Sequence, residues 1–585
     1  MSIMKLTDSV QLSSRHFLGK VWQLAKPYWQ SEEKWIARGL LFAIVILNLG
    51  MVYMSVILNK WNADFYNALQ QIDKAAFTHL LIKFSLIAAG FIIIAIYRIY
   101  LNMMLQLRWR RWLTQVYFSD WLFHRVYYQL ELEHGKTDNP DQRISEDINQ
   151  FTSDTLGLAL GLLNSVVTLA SFITILWGLS GSMSVDLLGH HIEIPGAMVW
   201  AALLYAGIGS WIMHKIGKPL IGLNFMQQKF EADLRFSMIR LRENAEGVAL
   251  YQGEKTEQQE LELKFDSVWK NTWKIMRKQK QMVGFNSGYS QIASIFPLVI
   301  TAPRFFSGAI KLGGMMQIVN AFGQVMDAMS WFVNSYASIA SWKASVDRLT
   351  TYHEHMIEAR EQTIKSQLHI ELSNQDHLTL SQCSVGLPNK EILFTLGNLS
   401  IAAGEHTLIA GPSGLGKSSL MKTIAGIWPF SQGEVERNND ALFLPQRPYL
   451  PIATLRDVLL YPQKDTLISD ATLVEWMHKC SLSRFVDVLS ERHNWAHVMS
   501  PGEQQRVALL RAFIQQPKWL FLDEATASLD EETEARMYQL LLDELPQTTL
   551  ISIAHRSVVA KYHKQVLRGQ RTDDHQVRWD KGAIA

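Results

Sequence analysis

Leu408–Ile427 reads "LIAGPSGLGKSSLMKTIAGI". An apolar run enters Gly411–Ser418, which fits G-x-x-x-x-G-K-[ST], and a helical pattern follows it. Glycines let successive backbone N–H groups converge on phosphate oxygens, and the helix that follows adds its positive dipole end. Gly411, Pro412, Ser413, Gly414, Leu415, Gly416, Lys417, Ser418 and Ser419 are therefore the expected cradle for a nucleotide's phosphates. Lys417 would reach the β- and γ-phosphates, and Ser418 would ligate Mg²⁺. A strand–loop–helix of this kind calls for an α/β domain, and short strand-like runs alternating with helical ones place it at 366–585.

Further along, Trp519–Asp530, "WLFLDEATASLD", ends an apolar strand in Asp523 and Glu524. Adjacent carboxylates at the end of an apolar strand are costly without a partner. Asp523 would hold the metal, and Glu524 would orient and polarise an attacking water.

Upstream of this domain the chain changes character. Runs of about 20 mostly apolar residues can cross a membrane core of ~30 Å. Gly39–Leu58 qualifies with no charge, and Leu80–Tyr100, Thr155–Leu179, Pro195–Met213 and Phe285–Pro303 follow. A weaker sixth, Met315–Ile339, contains Asp327. Six spans put both termini on one side. The stretches Leu105–Asp154 and His214–Gly284 hold nineteen Lys and Arg, against Lys60, Lys74, Arg304 and Lys311 in the opposite loops, so the long loops and both termini are expected in the cytoplasm. Phe230–Leu250 and Gln258–Met282 keep helical periodicity beyond the spans. Turn signals sit at Asn139-Pro140 and Gly253. In the N-terminal segment 1–38, Phe17, Val21, Leu24 and Tyr28 share one helix face, which suits an amphipathic elbow on the membrane or a packing face equally. The transmembrane domain is expected over 39–345 and a linker over 346–365.

The composition agrees. The 585 residues exceed one ordinary core. A net charge of +2 with 19% charged residues gives no basic excess for nucleic acid, and nineteen tryptophans suit membrane interfaces as well as cores. Cys383 and Cys480 have no metal or redox spacing and are expected as reduced core thiols. No signal peptide is expected, since the first long apolar run begins near Leu40.

The order of the phosphate loop, Gln446 in "FLPQRPYLP", His497–Arg506 "HVMSPGEQQR", "LDEATASLD" and His555 in "ISIAHR" resembles the nucleotide-binding domain of ATP-binding cassette (ABC) transporters. In the membrane half, "LNKWNADFYNALQ" (58–70), "DNPDQRISEDINQF" (138–151) and "IFPLVITAPRFFSGAI" (295–310) are similar to two groups. These are the SbmA/BacA-like peptide and vitamin B12 uptake proteins and the peroxisomal fatty-acyl half-transporters. The resemblance implies a membrane all-α, six-helix, exporter-type (type IV-like) transmembrane domain fused to an α/β P-loop ABC domain. It also implies ATP and Mg²⁺ as cofactors, with Gln446 sensing the metal, Glu524 and His555 catalytic, and Asp530 in the D-loop. Ser500, Gly502 and Glu503 would form a signature loop closing over ATP held by a second copy of the chain, making a homodimer. Met499, Pro501 and Glu503 depart from the usual Leu-Ser-Gly-Gly-Gln, and Leu387 stands where relatives carry an adenine-stacking aromatic. Contacts to the nucleotide-binding domains are expected near Asp138–Asp147 and Glu243–Gly253. The implied function is ATP-driven transport of bulky hydrophilic solutes such as peptides or cobalamin-like compounds through the bacterial inner membrane. Lipid or fatty-acyl transport, or a regulatory membrane ATPase, are the alternatives.

Overall fold

In this computed structural model, residues 17–132, 139–187, 190–364, 367–389, 391–463, 467–571 and 577–584 are described. The first sixteen residues of the expected elbow, together with Asp138 and Ser366, lie outside them. The chain divides into two compact units, Met1–Phe123 with Thr137–His355, and His124–Lys136 with Met356–Ala585.

The N-terminal unit is helical. Helix α1 (Phe17–Gln30) buries Leu24, Ala25 and Tyr28, leaving Leu18 and Trp22 exposed. Tyr28 stacks on Trp109, and Lys20 pairs with Asp347 at 3.1 Å, so this face packs on the bundle. Helices α2 (Lys34–Gln70) and α3 (Lys74–Leu122) form a hairpin, where Asp73 caps α3 by accepting from the N–H groups of Ala75 and Ala76, both at 3.0 Å. Helix α4 (Ile148–Ser180) leads into an antiparallel hairpin, Ser182–Leu187 with His190–Pro195. Helices α5 (Ala197–Glu243), α6 (Glu254–Phe306) and α7 (Leu312–Asn334) complete the bundle. The 53 residues of α6 span roughly 80 Å at 1.5 Å per residue, well beyond a hydrocarbon core of ~30 Å. A helix of that length must project from the membrane, as the periodicity beyond the spans suggests.

Among the described residues, four helical stretches are long and apolar enough to cross a membrane by length and composition: Lys34–Gln70, Lys74–Leu132, Pro140–Ser180 and Ala197–Glu243. Helices α6 and α7 are not among them. Polar residues interrupt their apolar runs, including Asn286, Ser290 and Ser294 on α6 and Asp327 and Ser330 on α7. Both still pack within the bundle, α6 on α5 and α7 on α2, α4 and α5. Near the end of the expected sixth span α7 stops at Asn334 and α8 (Tyr336–Ile364) follows, with helical bonds continuing through Ser335, from its N–H to the Trp331 carbonyl and from the Ile339 N–H to its carbonyl, both at 2.8 Å. Helix α8 then runs through the stretch expected as a linker. It contains neither Gly nor Pro, and Val346, Leu349, Tyr352, Met356 and Ala359 recur at helical spacing and are buried.

In the C-terminal unit, β1 (Thr407–Ala410), β2 (Ala441–Leu444), β3 (Trp519–Asp523), β4 (Thr549–Ile553), β5 (Gln565–Arg571) and β6 (Val577–Ala583) form a sheet in the order β6-β5-β1-β4-β3-β2. All pairs are parallel except the edge pair β5–β6. Leu520 and Leu522 enter one apolar cluster while Trp519 and Phe521 enter another, so β3 is buried on both faces. A second sheet is built from Leu368–Ser373, Ser431–Asn438, His377–Gly386 and Ile392–Leu396, with Leu399–Ala402 alongside. Cys383 and Cys480 are free and buried in these cores. Burial pushes both thiols upward, Cys383 to about 11 and Cys480 to about 12.

The short helix Val126–Leu132 belongs to this unit. It follows a kink at His124 and Arg125, both at positive φ. Arg125 donates to the carbonyl of Gly426 at 3.3 Å, and Gln129 bonds Thr363. The described part of the expected contact segment, 139–147, belongs to the N-terminal unit. There Asp147 is buried between Arg143 and Arg348.

Candidate nucleotide site

Register brings the site together. Leu444 pairs with Leu522, Asp523 with Ile553, and Ile553 with Ile409, so four loops leave the carboxyl ends of β2, β3, β4 and β1 side by side. In open α/β sheets this edge is where ligands bind.

The loop after β1 turns through Gly411, Gly414 and Gly416, all at positive φ. At Gly416 a side chain would also overlap Leu393 and come within 2.8 Å of Phe394, so only glycine fits. Helix α9 (Lys417–Ile424) starts there, its first N–H groups free to face an anion. The buried Lys417 ammonium donates to the carbonyls of Gly411 (2.8 Å) and Pro412 (3.0 Å), which holds it inside the loop. Burial lowers its pKa, while Glu524 and Asp523 oppose that shift.

Ser418 donates to the Asp523 carboxylate at 2.9 Å. Burial raises the Asp523 pKa, with Glu524 adding to it and the Ser418 bond opposing. A hydroxyl and a carboxylate side by side are hard oxygen donors that suit a small divalent cation, which normally keeps its other positions for water and phosphate oxygens. Glu524 has a left-handed backbone (φ +49°), unusual for a non-glycine residue. Its carboxylate accepts from Gln446 Nε2 at 2.8 Å and meets His555 Nε2 at 3.0 Å. The β2 and β4 loops thus clamp the β3 carboxylate from two sides. A carboxylate held this way beside a phosphate cradle can orient a water for attack.

The remaining predicted residues lie at helix starts. Ser500 caps α10 (Pro501–Gln515), and Glu503 closes a capping box by accepting from the Ser500 N–H (2.8 Å) and hydroxyl (2.9 Å). Arg484 donates to the same carboxylate at 2.7 Å. Pro501 occupies the first helical position, where its missing N–H has no intrahelical partner to lose. Gly502 lies against the carbonyl of Ser528, where an added Cβ would come within 3.2 Å. Asp530 caps α11 (Glu531–Glu544), accepting from the Thr533 N–H (2.8 Å) and hydroxyl (2.9 Å), and these bonds lower its pKa. Leu387 is half-buried in a turn closed by its N–H to the Glu391 carbonyl.

Two ties were not predicted. Buried Gln505 donates to the carbonyls of Gln446 (3.1 Å) and Glu524 (3.4 Å) and accepts from the Ser528 N–H (2.9 Å). Arg556 donates to the carbonyl of Leu529, while Glu534 accepts from Thr526 at 2.6 Å and from Arg556 at 3.4 Å. Only the adjacency of Gln505 to the signature and of Arg556 to His555 hinted at them.

A phosphate loop in one unit and membrane-length helices in the other place this chain among the membrane transport ATPases. Residues 24–306 match the family described as ABC transporter transmembrane region 2, and residues 396–527 match ABC transporter. The chain is 32% identical to the Escherichia coli inner membrane ABC transporter ATP-binding protein YddA, over 94% of this chain and 97% of that protein. It is 26% identical to the human lysosomal cobalamin transporter ABCD4, over 80% of each. Its fold matches the structure of a bacterial Atm1-family ABC exporter with ATP bound at a TM-score of 0.68, with 17% identity, covering 93% of this chain and 95% of that one. The chain belongs to the ABC transporter family, as a half-transporter with an exporter-type transmembrane region fused to its ATPase. It is a membrane protein that binds ATP and couples its hydrolysis to transport.

Proposed function

We propose that two copies of this chain form an ATP-driven transporter in the bacterial cytoplasmic (inner) membrane that moves bulky hydrophilic solutes, such as peptides or cobalamin-like compounds. Residues 39–345 form the translocation domain and 366–585 the motor. Similarity to the cobalamin transporter and the SbmA/BacA-like stretches of the membrane half support the solute class. The excess of Lys and Arg in the long loops supports cytoplasmic termini.

In the motor, the loop 411–419 cradles the phosphates. Lys417 neutralises the β- and γ-oxygens, and Ser418, Asp523 and Gln446 hold Mg²⁺, which supplies charge neutralisation of the phosphates. Glu524 orients the attacking water and takes its proton, while His555 faces the γ-phosphate. Ser500, Gly502 and Glu503 close over the partner's nucleotide, with Asp530 alongside. Among the described residues, no hydrogen bond joins Ser500 to its own phosphate loop; its side chain bonds only Glu503.

The observation that carries this reading is the Glu524 carboxylate held between Gln446 and His555. Glu524→Gln should retain nucleotide binding and lose at least ~100-fold in hydrolysis, the lower end of a general-base contribution. Hydrolysis at the wild-type rate would refute the assignment.

A further inference from the structure

The N-terminal unit holds a cavity of about 490 Å³ between α5, α6 and α7, within the range of roughly 300–1,000 Å³ usual for small-molecule sites. Its lining carries one ionisable carboxylate, Asp327, and no Lys, Arg or His. Among the described residues, no hydrogen bond or ion pair is formed by Asp327, and its side chain is exposed. In the expected second span, Arg98 bonds Asn48 at 3.2 Å in a different cavity. A carboxylate in a membrane bundle is costly and calls for a counter-charge.

The rest of the lining suits one kind of counter-charge. Phe285, Tyr289 and Phe322 present rings, and Asn286, Ser290 and Ser330 present hydrogen-bonding groups. Ring faces attract ammonium and guanidinium groups, and a carboxylate completes their recognition. The aromatic wall is fixed in place. Tyr289 stacks on Tyr205 with centroids 4.5 Å apart and on Phe285 at 5.6 Å. The Tyr205 hydroxyl donates to the Tyr289 carbonyl at 2.7 Å, and the Tyr289 hydroxyl to the Tyr205 carbonyl at 3.1 Å. Gly209 makes room for this ring, since any Cβ there would overlap it.

We propose that this cavity seats a cationic group of the transported solute, an ammonium or guanidinium, with Asp327 as its counter-charge and the aromatic wall of Phe285, Tyr289 and Phe322 beside it. The inference rests on the transport reading above and narrows it: solutes whose only charge is a carboxylate or phosphate are disfavoured here.

The test uses two labelled tetrapeptides, one carrying a single arginine and one with citrulline in its place, which keeps the size and removes the charge. Binding to the full-length protein in lipid vesicles is measured without ATP. Wild type should bind the arginine peptide at least ~10-fold more tightly, as expected of a charge-assisted contact. Asp327→Asn should abolish that preference, and Asp327→Glu should retain part of it. Absence of a preference in wild type, including failure to bind either peptide, would overturn the proposal, as would a preference that survives Asp327→Asn. The wild-type comparison stands even where a variant fails to fold. ATP-dependent accumulation in the same vesicles is scored separately. Preferential binding without accumulation would sink peptides as the transported solutes and leave the cation-binding site standing.

Discussion

Glu524 has an unfavourable backbone, of the kind that costs about 1–3 kcal/mol and persists only where its surroundings enforce it. Here Gln446 and His555 hold the side chain, and the Glu524 N–H donates to the Ile553 carbonyl at 3.0 Å. The residues that would meet ATP were legible because phosphate chemistry demands particular types at particular spacings. Gln505 and Arg511 were not, because their partners are main-chain carbonyls whose positions only the fold decides. His563 is a similar case. It is buried behind β4, bonded to Ser552 and to the Val559 carbonyl, both at 2.9 Å. Burial pulls its pKa down from 6.5 to about 4. The unfolded chain therefore takes up a proton between those values while the folded chain does not. The stability this group contributes is fully present above about pH 6.5 and is lost as pH falls towards 4, by about 3 kcal/mol in all. Melting of wild type and His563→Gln from pH 7 to 5 checks this: the wild-type temperature should fall more steeply. Some slope should remain in the variant because burial also lowers His406. Parallel slopes would remove His563 from the account.

At the scale of elements, the altered signature is a well-formed helix start. The box between Ser500 and Glu503 satisfies end groups of α10, and Pro501 presets the backbone of its first turn. Two of the departures from the usual motif, Pro501 and Glu503, therefore stabilise the element that presents Ser500. Pro501→Gly should lower stability by about 0.5–1 kcal/mol through added unfolded-state freedom, without loss of ATPase activity. A melting temperature unchanged or raised would contradict this view of α10. Helix boundaries were less legible than helices. The boundary at Ser335 has no Gly or Pro to announce it, and α8 runs through a stretch whose polar exposed face reads as a linker. The kink at His124 and Arg125 is nearly as silent, since only His124 is of a type enriched at positive φ and no Gly or Asn stands beside it. Strand ends were clearer, because β1, β3 and β4 are short apolar runs that stop at their polar functional residues.

The whole chain carries one phosphate loop, one signature and one membrane unit. Composition and charge already separated the two halves, and the polar residues that weakened the fifth and sixth spans line a cavity in the bundle. On the proposed function each ATP site needs two chains. Lys417 and Ser500 then belong to different sites, although one polypeptide bears both. Co-expression of Lys417→Ala and Ser500→Arg subunits with two tags gives mixed dimers in which both lesions fall at one site and the other is intact. Each single-variant homodimer has both sites damaged, one by loss of the phosphate charge and the other by a bulky side chain at the closing surface. Tight nucleotide binding by the purified mixed dimers is the direct measurement. The account predicts one tight site per mixed dimer and poor binding by both homodimers; mixed dimers that bind no better than the homodimers would contradict it.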